Sequence, residues 1–204
     1  MASVLKLPLI DLSTDYVFDG TSRIPIRESV IPKPINIYGS SKREGEIRVR
    51  AAHSNSVTLR CGWIYSRYGS NFFLKILELA KTIKEISVVD DQFGVPNSAD
   101  DIALGILKVA RNLISNPDQK LRGIFHIGSS GGPISWADFA EAILGLSAIQ
   151  RGFGVFVRRT NSGDYASAAK RPYYSYLDTS AVSLTHGVQL PHWRDGLVRV
   201  FQQL

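Results

Sequence analysis

Tyr38 and Lys42 stand four residues apart in the run Ile37-Tyr38-Gly39-Ser40-Ser41-Lys42, and the hydroxyl-rich run Ser13-Thr14-Asp15-Tyr16 precedes them. Residues at i and i+4 share one helix face, so a helix here aims a phenol and an ammonium into one cleft. An unperturbed phenol has a pKa of about 10, too high for efficient proton exchange at neutral pH. An ammonium beside it favours the phenolate. Such a phenol can protonate a carbonyl oxygen as hydride reaches the carbon. A hydroxyl at the end of a neighbouring strand, here Thr14, can bond the same oxygen and fix its geometry. Lysine has a second use, holding the ribose hydroxyls of a nicotinamide cofactor. Taken alone, Tyr-x-x-x-Lys is weak evidence, because surface helices carry such pairs by chance. The strand-end hydroxyl upstream makes the set more specific.

For these groups to meet, a strand must end near Thr14 and a helix must start near Tyr38. Residues 7–17 are apolar, with β-branched and aromatic types near the end, which predicts a buried strand ending at Ser13-Thr14. Phe18-Asp19-Gly20-Thr21 reads as a turn, and a loop spaced by Pro25, Pro32 and Pro34 follows. Residues 38–53 are predicted helical. Further strands are expected over 57–64, 86–89, 123–127 and 153–157. Helices are expected over 71–84, 99–114, 135–146 and 197–204. The first of these keeps the helical period through Phe72, Phe73, Ile76, Leu77, Ala80 and Ile83. Alternating strands and helices predict an α/β fold with a mostly parallel sheet.

An apolar fraction of 44% and a charged fraction of 21% over 204 residues are those of a globular protein able to bury a core. No apolar run is long enough to span a membrane, and the N-terminus is a poor signal peptide. One cysteine, Cys61, rules out an internal disulfide and fits a reducing, cytoplasmic setting. The net charge of +6 is spread along the chain, densest at Lys42 to Arg50 and at Arg158 to Arg171. Spread charge argues against a nucleic-acid surface and leaves a solvated mixed surface or an anionic small substrate such as a sugar nucleotide.

Longer runs are more specific. Ser13-Thr14-Asp15-Tyr16-Val17-Phe18-Asp19-Gly20, Tyr38-Gly39-Ser40-Ser41-Lys42, Arg60-Cys61-Gly62-Trp63-Ile64-Tyr65 and Gly69-Ser70-Asn71-Phe72 occur in that order. Asp91-Gln92-Phe93-Gly94-Val95-Pro96, Ser135-Trp136-Ala137-Asp138-Phe139-Ala140, Arg171-Pro172 and Ser175-Tyr176-Leu177-Asp178 follow. With these runs the chain resembles the dTDP-4-dehydrorhamnose reductase family of extended short-chain dehydrogenase/reductases. The resemblance implies a partial Rossmann-like fold, a doubly wound, mostly parallel sheet with a small C-terminal α/β substrate-binding region. It implies one unit over 1–204, with residues 1–85 as the second half of the Rossmann core and 86–204 mostly substrate-binding. It also implies Thr14, Tyr38 and Lys42 as the catalytic triad, Tyr38 and Lys42 on the cofactor, and Tyr16, Trp63 and Arg171 on the substrate. The implied reaction reduces dTDP-4-dehydro-L-rhamnose to dTDP-L-rhamnose with NADPH, or with NADH as the alternative. Plain core packing stays open for Tyr16 and Trp63, and a surface salt bridge for Arg171.

The family's glycine-rich cofactor loop lies ahead of the Ser-Thr-Asp-Tyr run, and the sequence shows none there. The expectation is a chain lacking that region, with an active enzyme, an inactive fragment and one piece of a split enzyme all open. An unpaired strand edge would favour self-association, so a homodimer or a separate N-terminal piece is an expected partner. Gly128-Ser129-Ser130-Gly131-Gly132 sits between a strand and a helix, but Pro133 interrupts it and Ser135 to Asp138 reads as a helix cap. His53, His126, His186 and His192 lack zinc spacing. Asp90-Asp91 and Asp100-Asp101 read as a strand end and a helix start rather than a cation site. The Mg2+ that some relatives hold at a dimer contact has no support in these residues. Asn97, where the family usually has threonine, and 165–172, which lacks the family's prolines, bear on substrate fit. Two other classes remain open: a non-catalytic subunit like the regulatory subunit of methionine adenosyltransferase, and another sugar-nucleotide epimerase or dehydratase.

Overall fold

Thr14 ends its strand by bonding to the chain that follows. In the computed structural model, which describes residues 2–151, 155–164 and 169–204, β1 spans Leu9–Thr14. The Thr14 hydroxyl accepts the Tyr16 N–H at 3.1 Å and caps one 3-10 turn, Asp15–Val17. The strand ends at Thr14 as expected, although the apolar run continues to Val17, because a local side-chain bond competes with the sheet.

The other elements are α1 (Ile37–Ala52), β2 (Ser56–Cys61), β3 (Ile64–Tyr65), α2 (Phe72–Leu79), β4 (Glu85–Val89), β5 (Phe93–Gly94) and β6 (Asn97–Ser98). There follow α3 (Ala99–Ser115), β7 (Gly123–His126), β8 (Ile134–Ser135), α4 (Trp136–Arg151), β9 (Phe156–Thr160), α5 (Ser180–His186) and α6 (Trp193–Gln202). β1, β2 and β7 form a parallel sheet in that order, with Thr14 opposite Cys61 and Arg60 opposite His126. β3 pairs with β6 and β4 with β9, both parallel, while β5 and β8 pair antiparallel. The fold is α/β as expected, but among the described residues the strands divide into one small sheet and three pairs.

Strand alternation gives β2 two different faces. Val57, Leu59 and Cys61 enter an apolar core with Phe125 of β7, Ile102 and Val109 of α3, and Val182 of α5. Arg60 points the other way, under α1. There its guanidinium grips the Glu46 carboxylate at 2.8 and 2.7 Å, and both side chains are almost fully buried. Arg43 adds a third bond to Glu46 at 2.9 Å. Burial opposes the charge on Glu46, but the Arg60 bonds outweigh it and hold the carboxyl below its usual range. His126 completes this layer: its backbone N–H donates to Glu28 at 2.8 Å, and its ring Nδ1 lies 3.0 Å from the Ile26 carbonyl.

A second core joins α2, α4 and α6 to the β4–β9 pair through Phe73, Ile76, Phe139, Ile143, Trp193 and Phe201. A small third cluster of Val17, Phe18, Ile26 and Leu177 backs the 3-10 turn.

The strand expected over 57–64 is broken at Gly62-Trp63 into β2 and β3. A Cβ on Gly62 would stand 2.3 Å from the Asp15 carboxylate, and Trp63 adopts φ 51°. The helix expected over 71–84 ends at Leu79, and α6 starts at Trp193, where the His192 ring accepts the Arg194 N–H at 3.2 Å. β9 begins at Phe156; Phe153 of the expected strand lies outside the described residues, as do residues 165–168. The Ser135 cap forms as expected, with Ser135 Oγ accepting the Asp138 N–H at 3.1 Å and Asp138 accepting the Ser135 N–H at 2.9 Å. The preceding glycine loop is filled rather than open: a Cβ on Gly131 would stand 2.0 Å from the His192 ring. Among the described residues no helix is long and apolar enough to cross a membrane, and no three His, Cys, Asp or Glu side chains group as metal ligands.

Candidate active site

The N-terminus of α1 rests directly on the 3-10 turn. A Cβ on Gly39 would stand 2.1 Å from the Tyr16 carbonyl oxygen, so only glycine permits this approach. Asn36 caps the helix, its side chain accepting the Gly39 N–H at 2.8 Å and donating to the Lys170 carbonyl at 2.9 Å. Tyr38, 55% exposed, meets the Tyr16 ring edge-on at 6.0 Å. One turn on, the Lys42 ammonium donates to the Leu12 carbonyl of β1 at 2.5 Å. Thr14, Tyr16, Tyr38 and Lys42 thus gather at the carboxyl end of β1. Ligands of open parallel α/β sheets bind at such ends.

Behind Thr14 lies a buried carboxylate. Asp15 is 2% exposed and accepts the Thr14 hydroxyl at 3.0 Å. Its Oδ2 has no donor while the Ser175 hydroxyl points at the Phe93 carbonyl, 3.4 Å away. Burial raises its pKa to about 6, against the lowering effect of hydrogen bonding from Ser175 and Thr14. Tyr16 is pushed up to about 12, by burial first and the Asp15 charge second, with Arg171 opposing.

A cavity of about 650 Å3 has Arg171, whose charge acts on Tyr16, in its wall. Ile35, immediately before the cap of α1, lies on its wall with Phe72, Trp136 and the cations Lys75, Lys170 and Arg171. Trp136 stacks on Trp63 at 3.6 Å with the rings 7° from parallel.

The model of the RmlD substrate binding domain matches residues 1–204. The chain belongs to this family. A dTDP-4-dehydrorhamnose reductase of Sinorhizobium fredii is 42% identical over 199 residues, covering 98% of this chain and 67% of that protein. The fold superposes on a solved dTDP-4-dehydrorhamnose reductase of Clostridium acetobutylicum with a TM-score of 0.90 and 34% identity, covering 99% of this chain and 68% of that one. A Bacillus anthracis dTDP-4-dehydrorhamnose reductase, solved in complex with NADP, gives 0.90 at 33% identity, covering 100% and 68%. The chain spans about two thirds of the length of the curated relatives it matches.

Against this RmlD-family background, the residues named from sequence fall in three places. Thr14, Tyr16, Tyr38 and Lys42 come together at the strand end. Arg171 lies on the cavity wall and acts electrostatically on Tyr16, so it links cavity and strand end. Trp63 presents one ring face to Trp136 and its edge to Gly94, where a Cβ would stand 2.6 Å away. Asn97 is a structural bridge: it donates to the Gly62 and Val95 carbonyls at 2.6 and 3.0 Å and accepts the Ser129 N–H at 2.7 Å. The sequence reading missed Asp15, Lys75, Lys170 and Trp136 as site residues. Asp15 was signalled by its place between Thr14 and Tyr16. The others lie on elements far apart in sequence, and neither the family run that contains Trp136 nor the basic stretch that contains Lys170 told that they meet at one cavity.

Proposed function

We propose that this chain forms the proton-donating and substrate-holding part of a reductase that converts dTDP-4-dehydro-L-rhamnose to dTDP-L-rhamnose with NADPH. The observation that carries the reading is the gathering of Thr14, Tyr38 and Lys42 at the end of β1, with Arg171 acting on Tyr16 from the wall of the cationic cavity. Ile35 belongs to that wall, and Asn36 ties the helix start to Lys170.

NADPH, when bound, supplies the hydride. Lys42 fits its nicotinamide ribose: it makes one bond to Leu12, and an ammonium has three donors, so ribose hydroxyls can share it. Tyr38 donates a proton to the 4-keto oxygen, Thr14 orients that oxygen, and Lys42 stabilises the phenolate left behind. Lys75, Lys170 and Arg171 face the diphosphate, for which a guanidinium fork is well shaped. Phe72 and Trp136 offer flat apolar surface to the base. A buried lone cysteine suits the reducing cytoplasm as the place of action.

Fluorescence titration of the purified chain with NADPH, followed by calorimetric titration with dTDP, tests the reading. Saturable binding of both is expected. A chain that takes up neither is not this reductase by itself.

A further inference from the structure

The Thr14 hydroxyl has one hydrogen, and Asp15 holds it. Thr14 Oγ1 donates to Asp15 Oδ1 at 3.0 Å and accepts the Tyr16 N–H at 3.1 Å. A threonine hydroxyl offers one donor and two acceptor lone pairs. In this state Thr14 has a lone pair left but no hydrogen for a carbonyl oxygen, which can only accept. We propose that Asp15 is a positioning residue for the reduction: as carboxylate it holds the Thr14 hydrogen, and as neutral acid it reverses that bond and frees the hydrogen for the 4-keto oxygen. One proton taken from solvent by Asp15 suffices. Its O–H then fills the second lone pair of Thr14 Oγ1, the Tyr16 N–H keeps the first, and the Thr14 O–H turns to the substrate. The inference rests on reading the site as a ketone reductase.

The surroundings favour a neutral Asp15. Its Oδ2 is fully buried beside a void of about 10 Å3 lined by Trp63, Asn97 and Ser175, room for at most one water. The Ser175 hydroxyl is the one neighbouring donor that opposes neutrality, directed in this structure at the Phe93 carbonyl. The backbone of Gly62 lies directly against the carboxyl. The titratable groups facing it are Tyr16 on its own turn and Cys61 on β2, whose thiol is pushed up to about 12 by burial and then by the Asp15 charge. The cations of the site, Arg171 and Lys42, act on Tyr16 and on Cys61 respectively. Burial raises Asp15 itself to about 6.

Two readouts test the proposal. Carboxyl carbon NMR, with the Asp15 signal assigned by its loss in Asp15→Asn, should show a midpoint near 6 that moves upward in Thr14→Val, since both forms lose a bond to Thr14 and the ionised form loses the stronger, charge-assisted one. In the pH profile of kcat, wild type should fall about ten-fold per unit above that midpoint with KM little changed. Asp15→Asn should be flat, because its amide donates to Thr14 at every pH. An Asp15 midpoint in the ordinary carboxyl range that Thr14→Val leaves unmoved overturns the proposal, and so does a wild-type slope retained in Asp15→Asn. If no variant turns over, the reductase reading fails while the NMR arm still decides the Asp15–Thr14 coupling.

Discussion

Arg171 shows how much a single residue can reveal before its surroundings are known. Its place before Pro172 marked it, and the fold sets it on the cavity wall with Lys75 and Lys170. A bond to a charged group is worth about 1.5–3 kcal/mol, roughly ten- to a hundred-fold in Kd. Arg171→Ala should therefore weaken dTDP binding by that factor in calorimetric titration. Raised salt should shrink the difference, because part of the attraction is screened. Thr14 was equally legible, since a hydroxyl after an apolar strand is local information. Asp15 was legible only by its place beside Thr14; its burial depends on the bare backbone of Gly62 lying against it, a contact between distant parts of the sequence.

The helix α1 poses the reverse case. Its extent was readable to within a residue, yet the residues that dock it were not. The sequence reading noted Ile47 and Val49, but Ile47 is 48% exposed and the buried positions are Gly39 and Glu46. The docking stripe is polar: Lys42 reaches the Leu12 carbonyl, and Glu46 reaches Arg60 one turn further on. Apolar periodicity cannot find a helix face that packs through charge. Removing one partner of a buried ion pair costs about 3–5 kcal/mol, because the other is left unpaired. Glu46→Ala should lower unfolding stability in urea by that amount, and a combined apolar replacement of Glu46 and Arg60 should cost less. Asn36→Ala removes the helix cap, worth about 1 kcal/mol, and frees the Lys170 carbonyl as well. It should lower stability slightly and weaken dTDP binding more.

At the scale of the molecule, polar groups buried beside the apolar clusters set the response to pH. Burial, and then the Arg60 charge, lowers His126 to about 3 from an ordinary 6.5. As pH falls through 6.5 the unfolded chain takes up a proton that the folded chain refuses. His126 stability is therefore complete above 6.5 and lost as pH drops toward 3. Asp15 runs the other way: its stability is complete below 3.8 and is lost as pH rises through about 6. Urea melts at pH 5 and 7.5 should show His126→Gln losing less stability on acidification than wild type, each pKa unit being about 1.4 kcal/mol. Asp15→Asn should lose more. The alternation of strands and helices was legible because hydrophobic period is local. The division into one sheet and three pairs was not, because breaks such as Gly62-Trp63 and two-residue strands such as β5 and β8 are fixed by partners far along the chain.

The central claim is that Tyr38 protonates a keto oxygen. The direct measurement is NADPH oxidation with dTDP-4-dehydro-L-rhamnose by the wild-type chain and by Tyr38→Phe, with dTDP binding and circular dichroism followed in both. The account predicts a loss on the order of a hundred- to ten-thousand-fold in kcat, with binding and fold unchanged. Turnover at the wild-type rate in Tyr38→Phe would contradict it.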